Sequence, residues 1–150
     1  RPGPKFDFKL RWFERLRLHL ASLIDLDAPV IVAGDYNVMP TDLDVYAPER
    51  WRDDALFAPE VRAAYQALLD QGWSDAIRQL HPDDIIYSFW KYWRGAFERN
   101  AGLRIDHLLM NPVAARMLKA AEVDTVPRGW ERTSDHAPVV ITLDQSGEVR

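Results

Sequence analysis

Within this 150-residue chain, the tightest constraint on folding is a four-residue run, Val30-Ile31-Val32-Ala33, that stops at Gly34. Consecutive apolar residues without polar alternation read as a strand buried on both faces. Such a strand needs a packed layer on each side, so the fold must be built around a sheet. The preceding segment supplies one layer. Leu10, Phe13, Leu16, Leu20 and Leu23 recur at helical steps, with Arg11, Glu14, Arg15 and His19 on the other side. This spacing predicts an amphipathic helix from Phe6 to Leu26, with Pro29 as its stop. Acidic residues on its polar face argue against a membrane-surface helix.

The length of 150 residues, without a repeat or a linker, reads as a single domain. Asp35 to Asp44 reads as a polar loop. Ala58 to Gln71 reads as a helix, with Pro59 in its first turn and Gly72 past its end. Ser74 can cap a short helix to Leu80. Ile85 to Trp93 and Leu103 to Met110 read as strands, and the segment between them is too long for a two-residue hairpin turn. Asn111-Pro112 starts a helix running to about Ala121. Val123 to Val126 and Val139 to Leu143 read as strands, with a loop from Pro127 to His136 between them. The tail from Asp144 to Arg150 reads as frayed.

Three clusters carry candidate chemistry. Gly34-Asp35-Tyr36-Asn37 follows the apolar run. In extended chain, Asp35 and Asn37 point the same way, which suits a hard-cation site; the same residues also suit a plain turn. Asp106 lies inside an apolar strand, where a carboxylate must be paired. It is either a structural partner of Arg104, two residues away, or a site residue. His107 faces the other way and reads as structural. Thr133-Ser134-Asp135-His136 precedes the last strand and offers a carboxylate beside an imidazole, or an ordinary polar loop. The chain has no cysteine, so disulfides, thiolate metal sites and cysteine nucleophiles are excluded. Any metal must use carboxylate, amide or imidazole ligands. A net charge of -4 excludes a histone-like binder but permits a local basic groove. One such groove is suggested where Phe89, Trp90, Tyr92, Trp93 and Phe97 interleave with Lys91, Arg94, Arg99 and Arg104. Alternation there assigns Phe89 to the core and Trp90 to the site. No apolar run is long enough for a membrane span, and no leader sequence is read at the start, so the expected location is the cytoplasm.

Together the three clusters resemble the endonuclease/exonuclease/phosphatase superfamily, and within it the exonuclease III branch of abasic-site endonucleases. Lys5-Phe6, Pro40-Thr41-Asp42-Leu43-Asp44, Tyr87-Ser88-Phe89-Trp90 and Arg99-Asn100-Ala101-Gly102-Leu103-Arg104-Ile105-Asp106 are similar to that branch as well. The resemblance spans residues 5 to 143 and implies phosphodiester hydrolysis in DNA with Mg²⁺ or Mn²⁺. It implies that Asp35 orients or deprotonates the attacking water. Asn37 would help to hold the phosphate or metal, and Asp135 would be a metal ligand, making Asp35, Asn37 and Asp135 the metal set. His136 would contact the scissile phosphate, and Asp106 would orient His136. Trp90, Arg94, Arg99 and Arg104 would meet the DNA, a duplex with abasic or 3′-blocked sites.

The resemblance further implies the α+β class and a four-layer αββα sandwich, of which this chain would be the C-terminal half: one mixed or antiparallel sheet with flanking helices. Members of the branch are about twice as long, and draw an Asn, a metal-binding Glu and a Tyr from their N-terminal half. The chain also opens on Arg1 rather than Met, so the expectation is a fragment. Its uncovered sheet face would meet the missing half or a second copy. Two other functions stay open. One is a phosphatase or phosphodiesterase of the same superfamily acting on a non-DNA substrate. The other is a non-catalytic nucleic-acid-binding half-domain.

Overall fold

The computed structural model describes residues 3–144. The sequence beyond Asp144, read as frayed, lies outside the described residues. In chain order the elements are α1 (Pro4–Ala21), β1 (Ile31–Asp35), a 3₁₀ turn (Asp42–Asp44), α2 (Pro48–Trp51), α3 (Pro59–Asp70), β2 (Ser74–Asp75) and α4 (Ala76–Leu80). They continue with β3 (Asp106–Met110), α5 (Pro112–Met117), β4 (Leu118–Val123), a second 3₁₀ turn (Val126–Gly129) and β5 (Val139–Leu143). No helix among the described residues is long and apolar enough to cross a membrane.

Pro4 opens α1, where its missing N–H costs nothing. The helix ends at Ala21, short of the predicted Leu26, because the Ser22 N–H turns back to the His19 carbonyl and the Leu23 N–H to the Leu20 carbonyl, closing the last turn. Pro29 therefore leads into the strand rather than stopping the helix. The apolar stripe of α1 (Phe6, Phe13, Leu20) packs with Val61, Tyr65 and Leu68 of α3 and with Leu109 of β3. Burial of each such side chain stabilises the fold by about 1.5–3 kcal/mol.

The principal sheet has three antiparallel strands in the order β1-β3-β2. Ile31 pairs with Met110, Val32 with Leu109 and Asp35 with Asp106. A second antiparallel pair joins β4 and β5. The fold class is thus helices with antiparallel sheet. One expectation fails on β1. Val32 packs toward the helices, but Ile31 is 37% exposed, and Ala33, Gly34 and Asp35 are exposed as well. The reason is position: β1 is an edge strand, and the helical layer covers only one face.

Three further expectations shift. Ile85 to Trp93 is not a strand. Phe89 alone makes isolated bridges, to Leu103 and to His136, because the segment hydrogen-bonds to two loops at once. Ser88 N–H donates to the Leu103 carbonyl at 2.8 Å, and the Ser88 carbonyl accepts from Ala137 N–H at 2.8 Å. The helix after Asn111 ends at Met117, and the residues expected to continue it form β4. Pairing with β5 outweighs the helical preference of Lys119-Ala120-Ala121. The strand expected at Val123 to Val126 accordingly begins earlier and ends at Val123.

Candidate active site

Asp35 ends β1 and Asp106 starts β3, so the antiparallel register sets the two carboxylates side by side on one face. His136 reaches them from the loop before β5. That loop is held by Trp90 N–H, which donates to the Asp135 carbonyl at 3.0 Å, and by the Ser88–Ala137 bond. His136 N–H donates to Ser134 Oγ at 3.0 Å, which fixes the turn. Ser88 Oγ, fully buried, accepts from the N–H groups of Ile105 at 3.1 Å and Asp106 at 3.2 Å. The chain entering Asp106 is thereby locked to the segment that holds the histidine loop.

The result is a compact triad. His136 Nδ1 lies 2.8 Å from Asp106 Oδ2. A carboxylate only accepts, so Nδ1 carries the proton and Nε2 faces the opening. Nε2 is 3.7 Å from Asp35 Oδ2 and 3.9 Å from Asp135 Oδ1. Burial pushes the Asp35 carboxyl above its ordinary value, and Asp106 adds to this. The Asn37 N–H, His136 and Lys9 act in the opposite sense.

Asp35, Asp106 and His136 offer ligand atoms within 4.8 Å of one another, and Asp135 stands at the same mouth. An oxygen-rich set of this kind fits a hard divalent cation. Asn37 is exposed beside Asp35, though not by the extended geometry expected from its spacing. β1 ends at Asp35, and Asn37 has φ 50°, in the left-handed region. A turn holds the pair together instead: Asn37 N–H donates to Asp35 Oδ1 at 2.9 Å.

Two expected DNA contacts are corrected. Trp90 is only 2% exposed; its ring packs edge-on against Phe97, and its Nε1–H donates to Asn100 Oδ1. Phe89 is the residue at the site, with its ring centroid 5.1 Å from that of His136. Alternation separated the two residues but could not say which faced inward. Arg104 is 1% exposed and does not pair with Asp106. Its Nε donates to Asp44 Oδ1 at 2.6 Å, and its two terminal nitrogens bind Asp75 Oδ1 and Oδ2 at 3.0 and 2.9 Å. Arg94 and Arg99 do lie on an exposed loop, together with Lys91 and Trp93.

Asp44, Asp75, Arg104 and His107, all buried, form with the partly buried Arg78 a network beneath the Asp35–Val38 loop that sequence reading missed. Burial pushes Asp44 up, but Arg104 and Arg78 hold its carboxyl below the ordinary value. Asp75 is held well below as well, against its burial, chiefly by Arg104. His107, read as structural, is fully buried. Burial and the Arg104 charge push it down to about 4. It is neutral, accepting at Nδ1 from Arg104 and donating from Nε2 to the Val38 carbonyl at 2.9 Å. Asp75 gave only a weak signal, a carboxylate at a helix start.

Comparison with known proteins adds an independent line. The model of the Endonuclease/Exonuclease/phosphatase family matches residues 1–136. Exodeoxyribonuclease III of Haemophilus influenzae is 34% identical over 142 residues, covering 90% of this chain and 53% of that protein. The solved AP endonuclease from Archaeoglobus fulgidus superimposes with a TM-score of 0.91 at 36% identity, covering 95% of this chain and 56% of that one. The 3′ phosphatase NExo from Neisseria, bound to product DNA hairpin, gives a TM-score of 0.91 at 38% identity, covering 95% and 55%. The chain spans about half the length of the curated relatives it matches.

Proposed function

Because the chain belongs to the endonuclease/exonuclease/phosphatase family, we propose that it carries the C-terminal half of an exonuclease III-type DNA repair nuclease. Its whole domain would be the four-layer αββα sandwich, and its substrate duplex DNA with abasic or 3′-blocked sites. The observation that carries this reading is the 2.8 Å bond between His136 Nδ1 and Asp106, with Nε2 turned toward Asp35. Asp106 fixes the imidazole, and His136 in its protonated form donates from Nε2 to a phosphate oxygen as negative charge develops there. Asp35, 3.7 Å from His136 Nε2, takes the proton of the attacking water. The water oxygen bonds to phosphorus as the bond to the leaving sugar oxygen breaks. Asn37 donates from its side-chain amide to a second phosphate oxygen. Mg²⁺ or Mn²⁺, held by Asp35, Asn37 and Asp135, would supply further positive charge at the phosphate.

Arg94 and Arg99 on the exposed loop contact DNA phosphates, while Trp93, 61% exposed, supplies stacking surface. The exposed Ile31 and Ala33 are covered by the complementary half of the sandwich or, for the 150-residue chain alone, by a second copy. A monomeric light-scattering profile at micromolar concentration would eliminate the second copy.

Incision of a duplex carrying one abasic-site analogue, with Mg²⁺ and with chelator, tests the activity. The expected result is cleavage lost on chelation and in Asp35→Ala. Cleavage that persists in Asp35→Ala would refute the assignment. DNA binding that survives the chelator, without any cleavage, would favour a non-catalytic binding module.

A further inference from the structure

The catalytic loop is anchored from below, residue by residue. Tyr36 N–H donates to the Ile105 carbonyl at 3.0 Å, and its hydroxyl donates to the Val32 carbonyl at 2.7 Å. The Val38 carbonyl accepts from His107, and Met39 N–H donates to the Leu56 carbonyl at 2.9 Å. Asn37 sits between these anchors in the left-handed region, where a residue with a side chain needs support from its surroundings. Its N–H is taken by Asp35 Oδ1. Its carbonyl is taken from outside the loop, by the Lys9 ammonium of α1. Lys9 is half-buried and also lies in the field of Asp35 and Asp54. Asp54 belongs to the neighbouring loop, whose Leu56 N–H it accepts at 2.8 Å. Phe8, Trp12 and Leu56 enclose the same spot, forming with Lys9, Asp35 and Asn37 a cavity of about 290 Å³.

We propose that Lys9 is a positioning residue for the hydrolytic site, resting on the nuclease reading above. By clamping the Asn37 carbonyl from α1, it holds the left-handed turn that aims the Asn37 amide and keeps the Asp35 carboxylate on the side of His136. It touches neither the phosphate nor the water. A flexible lysine on the first turns of a helix would otherwise read as a solvated charge. Its ammonium instead meets the carbonyl of Asn37 itself, in the peptide that leads from the turn to Val38.

The test uses the full chain with Lys9→Met, close in length but without a donor, and Lys9→Arg, which keeps one. Two readouts are needed. The first is the backbone amide signal of Val38 in heteronuclear NMR, since that N–H shares the peptide group of the Asn37 carbonyl. It should shift in Lys9→Met, with the signals of β3 and α3 unmoved, and return toward its original position in Lys9→Arg. The second is Mg²⁺-dependent cleavage. In Lys9→Met, kcat should fall by about tenfold to a hundredfold, with KM within about twofold of its starting value, and Lys9→Arg should recover most of the loss. A Val38 signal unchanged in Lys9→Met would overturn the clamp. A raised KM with kcat intact would also overturn it, because Lys9 would then be a direct DNA contact. If the unsubstituted chain does not cleave even with the complementary N-terminal half supplied, the nuclease reading fails on its own, and the Val38 signal still decides the clamp.

Discussion

Replacing Arg104 by Met removes the centre of the buried network. The side chain makes four polar contacts: one to Asp44, two to Asp75 and one to His107 Nδ1. Arg78 still reaches Asp44 at 2.6 Å, so that carboxylate keeps a partner. Asp75 keeps only the Tyr65 hydroxyl at 2.8 Å and its own helix-capping contact to Arg78 N–H. Breaking a buried ion pair from one side costs about 3–5 kcal/mol, because the surviving charge is stranded. For a chain of this size that lowers the melting temperature by about 10 °C or more. The penalty should also depend on pH. After burial, the Arg104 charge holds His107 down, and Asp75, whose Oδ2 lies 3.9 Å from His107 Nδ1, acts in the opposite sense. Without Arg104, His107 takes a proton more readily and partly replaces the lost cation. Urea unfolding should therefore show a smaller penalty at pH 5 than at pH 8. A cost below about 1 kcal/mol, or one independent of pH, would refute the reasoning. Loss of DNA affinity at unchanged stability would do so too, and would return Arg104 to a DNA-binding role.

Other outcomes follow from the same geometry. In the unsubstituted chain, His107 titrates at its ordinary 6.5 when unfolded and at about 4 when folded. Between those values the unfolded state binds more protons, so stability falls as pH drops through that window, by about 3 kcal/mol in all; a flat urea midpoint between pH 7 and 4 would contradict this. Gly102→Ala would place a Cβ 2.6 Å from Trp90 Nε1 and 2.7 Å from Tyr87 Cβ. The expected loss is about 1–3 kcal/mol, measured by the same unfolding. Asp106→Asn should lower cleavage by about a hundredfold or more without a comparable change in melting temperature, since Asp106 is partly exposed. Asp35→Asn should abolish cleavage while leaving the backbone amide spectrum of β3 intact.

Much of this molecule is legible locally. The pattern from Ala58 to Gln71 marks α3 within a residue at each end, because Pro and Gly punctuate it and the apolar spacing is unambiguous. β5 is read without error from Val139-Val140-Ile141, where β-branched residues leave little choice. The motif residues Asp35, Asp106 and His136 stand out because carboxylates and imidazoles are costly beside apolar strands. The segment from Leu118 to Ala121 is misread for the opposite reason. Its alanines and lysine favour a helix, and only the distant β5 turns them into a strand.

The remaining division is between chemistry carried by residue types and chemistry created by facing. Chain composition excludes thiolate sites outright, and motif spacing marks the loops that would hold a phosphodiesterase site. Whether Phe89 or Trp90 turns toward His136 is a matter of parity, and parity depends on where the Leu103 and Asp135 carbonyls sit. Arg104 reads as a surface cation until Asp44 and Asp75, both distant in sequence, close around it. An isolated arginine stays in water because burial costs more than any single contact returns. Two carboxylates brought by other elements reverse that balance, and no property of the residue or its neighbours announces their arrival.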